Sequence, residues 1–219
     1  MIELYDYILS DDAYKARLLL SFLGLDYTRH KVDMHPGREH LSPEFKASIS
    51  PLSRLPVIRD GDLCVAGPLA CLSYLARRYD ESGSWMPESP ALQAEILQWM
   101  AFAERDMAPI GALRLARFSD DTLPAGPGDD LRAANAAMAV IDDHLAGGAK
   151  GPRDWLVGDR PTVADIAVFG TAALAPDAGV AIEDFPELWR WTARLRHLPG
   201  FVVIPGIFPV IPELTEGAA

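Results

Sequence analysis

Ser10 stands directly ahead of a helix-forming run and is followed by two acids, Asp11 and Asp12. A hydroxyl at that position accepts from a backbone N–H of the first helical turn, so the residue reads first as a helix N-cap. Two carboxylates beside it stabilise a helix start and oppose any anion brought near it. The chain has only two cysteines, Cys64 and Cys71, which give no disulfide framework and read as buried thiols. Asp33, His35 and His40 are candidate metal ligands by type, yet their spacing fits no helix or strand face and no fourth ligand follows. No metal is expected.

The bulk numbers narrow the function. With 219 residues, 49% of them hydrophobic, the chain can bury a core without a metal or disulfide, which excludes a disordered or fibrous protein. Lys and Arg number 20 against 31 Asp and Glu, a formal charge of -11 that repels phosphate backbones and anionic lipid. No apolar run is long enough to span a membrane, and the first residues lack the basic start of a signal peptide, so a cytoplasmic protein is expected. Residues 1–80 hold 10 basic and 11 acidic side chains, while residues 81–219 hold 10 and 20. An anionic ligand meets less resistance in the first part.

The elements that must position these residues divide at the same place. Ile2 and Leu4 open a strand, and Tyr14, Leu18, Phe22 and Leu25 mark one face of a helix. Tyr27 to Val32 is a second strand, and Ser42-Pro43 starts a short helix. Pro56-Val57-Ile58 and Leu63-Cys64-Val65 flank an Asp60-Gly61 turn as a hairpin, and a helix runs from about Gly67 to Arg78. The order is βαβαββα. After a linker at 81–89, long helical repeats take over: Leu92, Ile96, Trp99 and Ala103 mark one helix, interrupted around Pro109 and Gly111. Leu131, Ala134, Met138, Ile141 and Leu145 mark another. Thr162-Val163-Ala164-Asp165 has capping-box form ahead of an apolar run, and Asp184-Phe185-Pro186-Glu187 reads as a second such start. Two domains are expected, 1–80 and 90–219, the second all-α.

This order, with Tyr5-Asp6-Tyr7 to Ser10, Tyr14-Lys15-Ala16-Arg17-Leu18, His35 to His40, Leu55 to Gly61, Pro161 to Asp165 and Leu198-Pro199-Gly200-Phe201, resembles the soluble glutathione S-transferase superfamily. The match covers nearly the whole chain and is nearest bacterial members with theta-like and β-etherase-like features. The resemblance implies a thioredoxin-like domain that binds glutathione or another low-molecular-weight thiol, and a helical domain that walls the pocket of a small hydrophobic electrophile. It also implies a homodimer. A thiol reacts as thiolate, and its free pKa near 8.5 must fall for useful rates at neutral pH. The family supplies a hydroxyl or thiol donor near the start of the first helix, and Ser10 matches that position. Leu55-Pro56 matches the family's cis-proline site, where the preceding backbone pairs with the cysteinyl part of glutathione. His40 and Arg54 match positions that contact the glycyl carboxylate. Phe102, Arg105, Arg114 and Phe118, with Trp99, Met107, Arg117 and the tail around Phe208, are the residues offered to the acceptor.

Two departures from the family pattern bear on function. At about 6 Å and an effective dielectric near 20, one carboxylate of Asp11 or Asp12 opposes a thiolate by about 3 kcal/mol before screening. Where the family places an acidic residue and a Ser to hold the γ-glutamyl end, this chain has Gly67 and Pro68. Neither offers a side-chain acceptor, a hydroxyl or, at Pro68, an N–H. Each charge-assisted bond lost is worth about 1.5–3 kcal/mol, so glutathione affinity falls by roughly hundreds-fold. Three functions remain open: a glutathione transferase-like enzyme acting on a small apolar electrophile, the same scaffold using cysteine or a persulfide in a biosynthesis, and a non-catalytic binding protein.

Overall fold

The computed structural model describes residues 1–118 and 127–206. Its first part contains β1 (Ile2–Asp6), α1 (Asp11–Phe22), β2 (Tyr27–Lys31), α2 (Pro43–Ser48), β3 (Val57–Asp60), β4 (Leu63–Ala66) and α3 (Pro68–Tyr79). The four strands form one sheet in the order β2-β1-β3-β4. β1 runs parallel to β2, as a helical crossover through α1 requires, and the other pairs are antiparallel. Asp60 faces Leu63 across the hairpin turn. The βαβαββα order is the one the sequence predicts.

The second part is helical: α4 (Pro90–Arg105), α5 (Ala108–Phe118), α6 (Pro127–Ala146), α7 (Val163–Ala172) and α8 (Pro186–Arg196). Two boundaries differ from expectation. The break between α4 and α5 falls at Asp106 and Met107, and Pro109 sits inside the first turn of α5, where its missing N–H has no helical partner to lose. α8 does not carry its own cap. Asp142 Oδ1, from α6, accepts from Glu187 N–H at 2.7 Å and Leu188 N–H at 2.9 Å, while Asp184 belongs to a 3-10 turn.

One hydrophobic core runs through both parts, joining Leu4, Leu18 and Leu72 to Ile96, Phe169 and Trp191. A smaller one, with Val32, Phe45, Leu55 and Val57, includes α2. α1 lies between the sheet and α3 on one side and α7 on the other, so every residue from Ala13 to Leu20 is buried, Lys15 and Arg17 included. Arg17 is compensated by the buried Asp6 carboxylate at 2.9 Å, and Arg29 shares that carboxylate. α7 is buried along its whole length. Among the described residues no helix is long and apolar enough to cross a membrane.

Candidate functional site

Ser10 ends the bend after β1 with extended backbone (φ -73°, ψ 121°), and its Oγ accepts from Ala13 N–H at 3.1 Å. The cap reading is therefore correct, and it leaves the hydroxyl hydrogen unspent. Ser10 lines a cleft of about 440 Å³ between the sheet part and helices α4, α5 and α7. His40, Arg54, Leu55, Pro68 and Arg114 line the same cleft, so residues far apart in the chain meet there. The Leu55–Pro56 bond is cis. Leu55 N–H and C=O make no hydrogen bond among the described residues, so an extended ligand can pair with both.

The acids beside Ser10 are occupied. Asp12 Oδ1 accepts from the buried Lys15 Nζ at 2.7 Å, and Asp11 Oδ2 accepts from Thr171 Oγ1 in α7 at 2.7 Å. Burial pulls the Lys15 ammonium down, but Asp12 and Asp11 outweigh it, and its pKa stands above the ordinary value. Lys15 stays charged and offsets one of the two carboxylates. Arg54 reaches across the cleft mouth to Glu104 of α4 at 3.3 Å, an exposed pair worth at most about 1 kcal/mol. Burial lowers the pKa of His40, with His35, Arg38 and Lys46 adding to the effect, and its buried Nδ1 has no partner. It is neutral at pH 7.

Gly67 caps α3 with φ 95° and ψ 150°, and its N–H donates to Pro56 C=O at 2.8 Å. A Cβ there would meet open space, so glycine is demanded by the backbone and not by packing. An acidic residue here would carry strain of about 1–3 kcal/mol, which glycine relieves along with the ligand contact. Pro68 lines the cleft without a donor.

The acceptor side is rearranged from expectation. Phe102 does not line the cleft; it packs edge-on against Trp99 at 5.3 Å. Arg105 is exposed and held by Asp106 at 2.9 Å, and Arg117 is exposed as well. Arg114 does line the cleft, but it is 4% exposed and spends its guanidinium on Asp177 Oδ2 at 3.0 Å, on Leu9 C=O and on Pro205 C=O at 3.3 Å. The side chain of Phe118 and the tail around Phe208 lie outside the described residues. Met107, one of the residues the sequence offers, does line the cleft, and Ala108, Ala112 and Leu115 complete the apolar wall with it. Tyr7, Lys15, Ser53, Glu104 and Thr171 also line the cleft and escaped the sequence reading. Only Lys15 carried a readable signal, its three-residue spacing from Asp12.

The remaining candidates are elsewhere. Asp33 closes a loop, its Oδ1 accepting from Gly37 N–H at 3.0 Å. Among the described residues no group of three or more His, Cys, Asp or Glu could hold a metal ion. Cys71 is buried, and burial pushes its thiol up to about 12. Cys64, expected in the core, is exposed on β4, where its Sγ donates to Ile49 C=O at 3.1 Å. Strand β4 lies at the edge of the sheet, and Leu63 beside Cys64 is exposed as well.

Comparison with known proteins agrees with this architecture. Residues 1–77 match the family model of the glutathione S-transferase N-terminal domain, and residues 128–199 match that of the C-terminal domain. The chain belongs to the soluble glutathione S-transferase superfamily. It is similar to the glutathione S-transferase-like protein tpcF of Aspergillus fumigatus, 29% identical over 84% of this chain and 86% of that one. Among solved structures it is similar to a possible glutathione S-transferase from Rhodopseudomonas palustris (TM-score 0.77, 30% identity, 92% of this chain and 96% of that one). A glutathione transferase homolog from Lodderomyces elongisporus, solved with two glutathione molecules per subunit, superposes with TM-score 0.81 at 28% identity over 91% of this chain and 94% of that one.

Proposed function

We propose that this chain is an enzyme that brings a low-molecular-weight thiol to a small apolar electrophile. The observation that carries the reading is the unspent Ser10 hydroxyl hydrogen opening on the same cleft as the unpaired Leu55 backbone. An O–H donor and the positive end of α1 both favour a thiolate over a thiol, which lowers its pKa toward neutrality. The thiolate then attacks a carbon of the electrophile, and the displaced pair leaves on the departing group or, in an addition, on the neighbouring atom. Met107, Ala108, Ala112 and Leu115 suit an apolar acceptor. The proposal includes residues 1–80 as the thiol-binding domain, 90–219 as the acceptor domain with 81–89 as linker, a homodimer, and a cytoplasmic location.

A second reading keeps this chemistry and changes the donor to a smaller thiol, cysteine or a cysteine persulfide. Gly67 and Pro68 favour it, because they remove the groups that would hold a γ-glutamyl end. Calorimetric titration with glutathione, cysteine and cysteine persulfide separates the two. Sub-millimolar glutathione binding supports the first, and heat with the smaller thiols alone supports the second. No thiol binding would leave a non-catalytic binding protein on this fold.

A further inference from the structure

The residues on either side of Ser10 are both tied to the helical part of the chain. Leu9 C=O accepts from Arg114 in α5, whose other guanidinium nitrogens hold Asp177 at 3.0 Å and Pro205 C=O at 3.3 Å. Asp11 Oδ2 accepts from Thr171 Oγ1 in α7 at 2.7 Å. Small residues let these helices come close: a Cβ on Gly170 would lie 2.5 Å from Lys15 Cγ and 3.4 Å from Asp11 C=O, and one on Gly111 3.6 Å from Asp11 Oδ2. Within its own part, Ser10 N–H donates to Tyr7 C=O at 3.0 Å, Ser10 C=O accepts from Tyr14 N–H at 3.0 Å, and Ile8 C=O accepts from Arg17 at 3.2 Å. The bend from Tyr7 to Ser10 has no strand ladder to hold it.

We infer that Arg114 and the Asp11–Thr171 pair are positioning residues that aim the Ser10 hydroxyl into the cleft from the helical side. The inference rests on the reading of Ser10 as the group that steadies the thiolate. A hydroxyl donor weakens steeply as its angle departs from linear, and misplacement by about 1 Å can cost a hundredfold in rate. The bonds from α1 hold the Ser10 peptide from the sheet side, and the bonds to Leu9 and Asp11 fix it from the helical side. This also gives Asp11 a reason to be acidic: it is the acceptor of an interdomain tether. Arg114, whose type and setting suit an anionic acceptor, serves the donor side instead.

The test uses Thr171→Val, which keeps the shape and removes the hydroxyl, and Thr171→Ser, which keeps the hydroxyl. Two quantities are read: the pKa of the bound thiol, from its ultraviolet thiolate absorbance with glutathione or cysteine, and the turnover of a chlorodinitrobenzene acceptor. In Thr171→Val the thiol pKa rises and kcat falls roughly fivefold with KM nearly unchanged, and Thr171→Ser recovers most of both. Arg114→Lys keeps one charge, loses the planar fork and shows a larger kcat loss; if it does not fold, the Thr171 pair decides alone. A lower melting temperature with an unmoved thiol pKa would assign Thr171 to packing and overturn the inference. Wild-type behaviour of Thr171→Val would overturn it too, provided Ser10→Ala is impaired. A fully active Ser10→Ala would instead remove the reading beneath it.

Discussion

Two helix starts in this molecule use nearly the same chemistry to different ends. At α7, Thr162 Oγ1 accepts from Ala164 N–H at 3.3 Å, and Asp165 accepts from Thr162 N–H, Leu156 N–H and Trp191 Nε1 at 2.8, 2.9 and 3.0 Å. At α1, Ser10 Oγ accepts from Ala13 N–H, but the acids that follow turn away from the cap, Asp11 to Thr171 and Asp12 to Lys15. α7 is buried throughout, so its polar groups must be satisfied within the protein. α1 begins at the edge of a cleft, so one donor can be left for a ligand. The same capping residues become scaffold in one place and a candidate reactive group in the other, and what separates them is access to a cavity.

The contrast can be broken most forcefully at Asp165. Asp165→Ala leaves Thr162 N–H, Leu156 N–H and Trp191 Nε1 buried without an acceptor, since Asp165 is 0% exposed. The expected loss is about 3–5 kcal/mol, or roughly 10 °C in melting temperature for a chain of this size. Thermal denaturation followed by circular dichroism checks it. The thiol pKa in the folded fraction should not move, because α7's start is remote from the cleft lining.

Ser10→Ala should show the opposite signature. The cap is worth about 1 kcal/mol, so the melting temperature falls by only a few degrees. Thiol-transfer turnover falls at least roughly tenfold, in line with the loss of a hydrogen bond to a charged sulfur. Equal loss of stability in the Ser10 and Asp165 variants, with turnover intact in both, would erase the distinction between the two helix starts.

Much of the scaffold is legible in the sequence because it is local. The Ser42-Pro43 start of α2, the Asp60-Gly61 turn and the Thr162–Asp165 capping box each need residues within four positions of one another, and each forms. The cap of α8 fails this test, because its acceptor is Asp142, more than forty residues upstream. The burial of α1 on all sides is also hidden: Lys15 and Arg17 mark an exposed face by type, and only packing between the sheet and α7 reveals them as compensated interior charges. The cleft divides in the same way. Ser10 and the residues around the cis proline follow from motif order, whereas Thr171 and Glu104 enter only through the approach of the helices. Arg114 shows the converse error: a basic residue in an acidic stretch looks free in the sequence, but its carboxylate partner, Asp177, lies 63 positions downstream.

The donor side of the cleft can be sharpened at Pro68. Pro68→Ser keeps a residue suited to a helix start and adds a hydroxyl and an N–H at the cleft wall. One such bond recovered corresponds to roughly tenfold tighter glutathione binding, with little change for cysteine, by calorimetry. If glutathione affinity stays fixed, the γ-glutamyl end does not reach α3, and the loss at Gly67 and Pro68 has no bearing on donor choice.

The smallest expected effect is a pH dependence at His40. Burial, aided by His35, Arg38 and Lys46, holds its pKa below the ordinary imidazole value, so it enters the complex neutral at pH 7. A ligand carboxylate beside the ring favours the imidazolium, so binding takes up a proton and affinity rises as the pH falls. S-methylglutathione isolates this contact, because it carries both carboxylates and no thiol to titrate. Its affinity should climb a few-fold between about pH 7.5 and 5.5, a window that lies above the ordinary carboxylate range and spans the imidazole one. His40→Gln keeps a donor and cannot take the proton, so its affinity should be flat across the same range. A wild-type profile as flat as that of His40→Gln would leave Arg54 to meet the carboxylate without His40, at the expense of its exposed contact with Glu104.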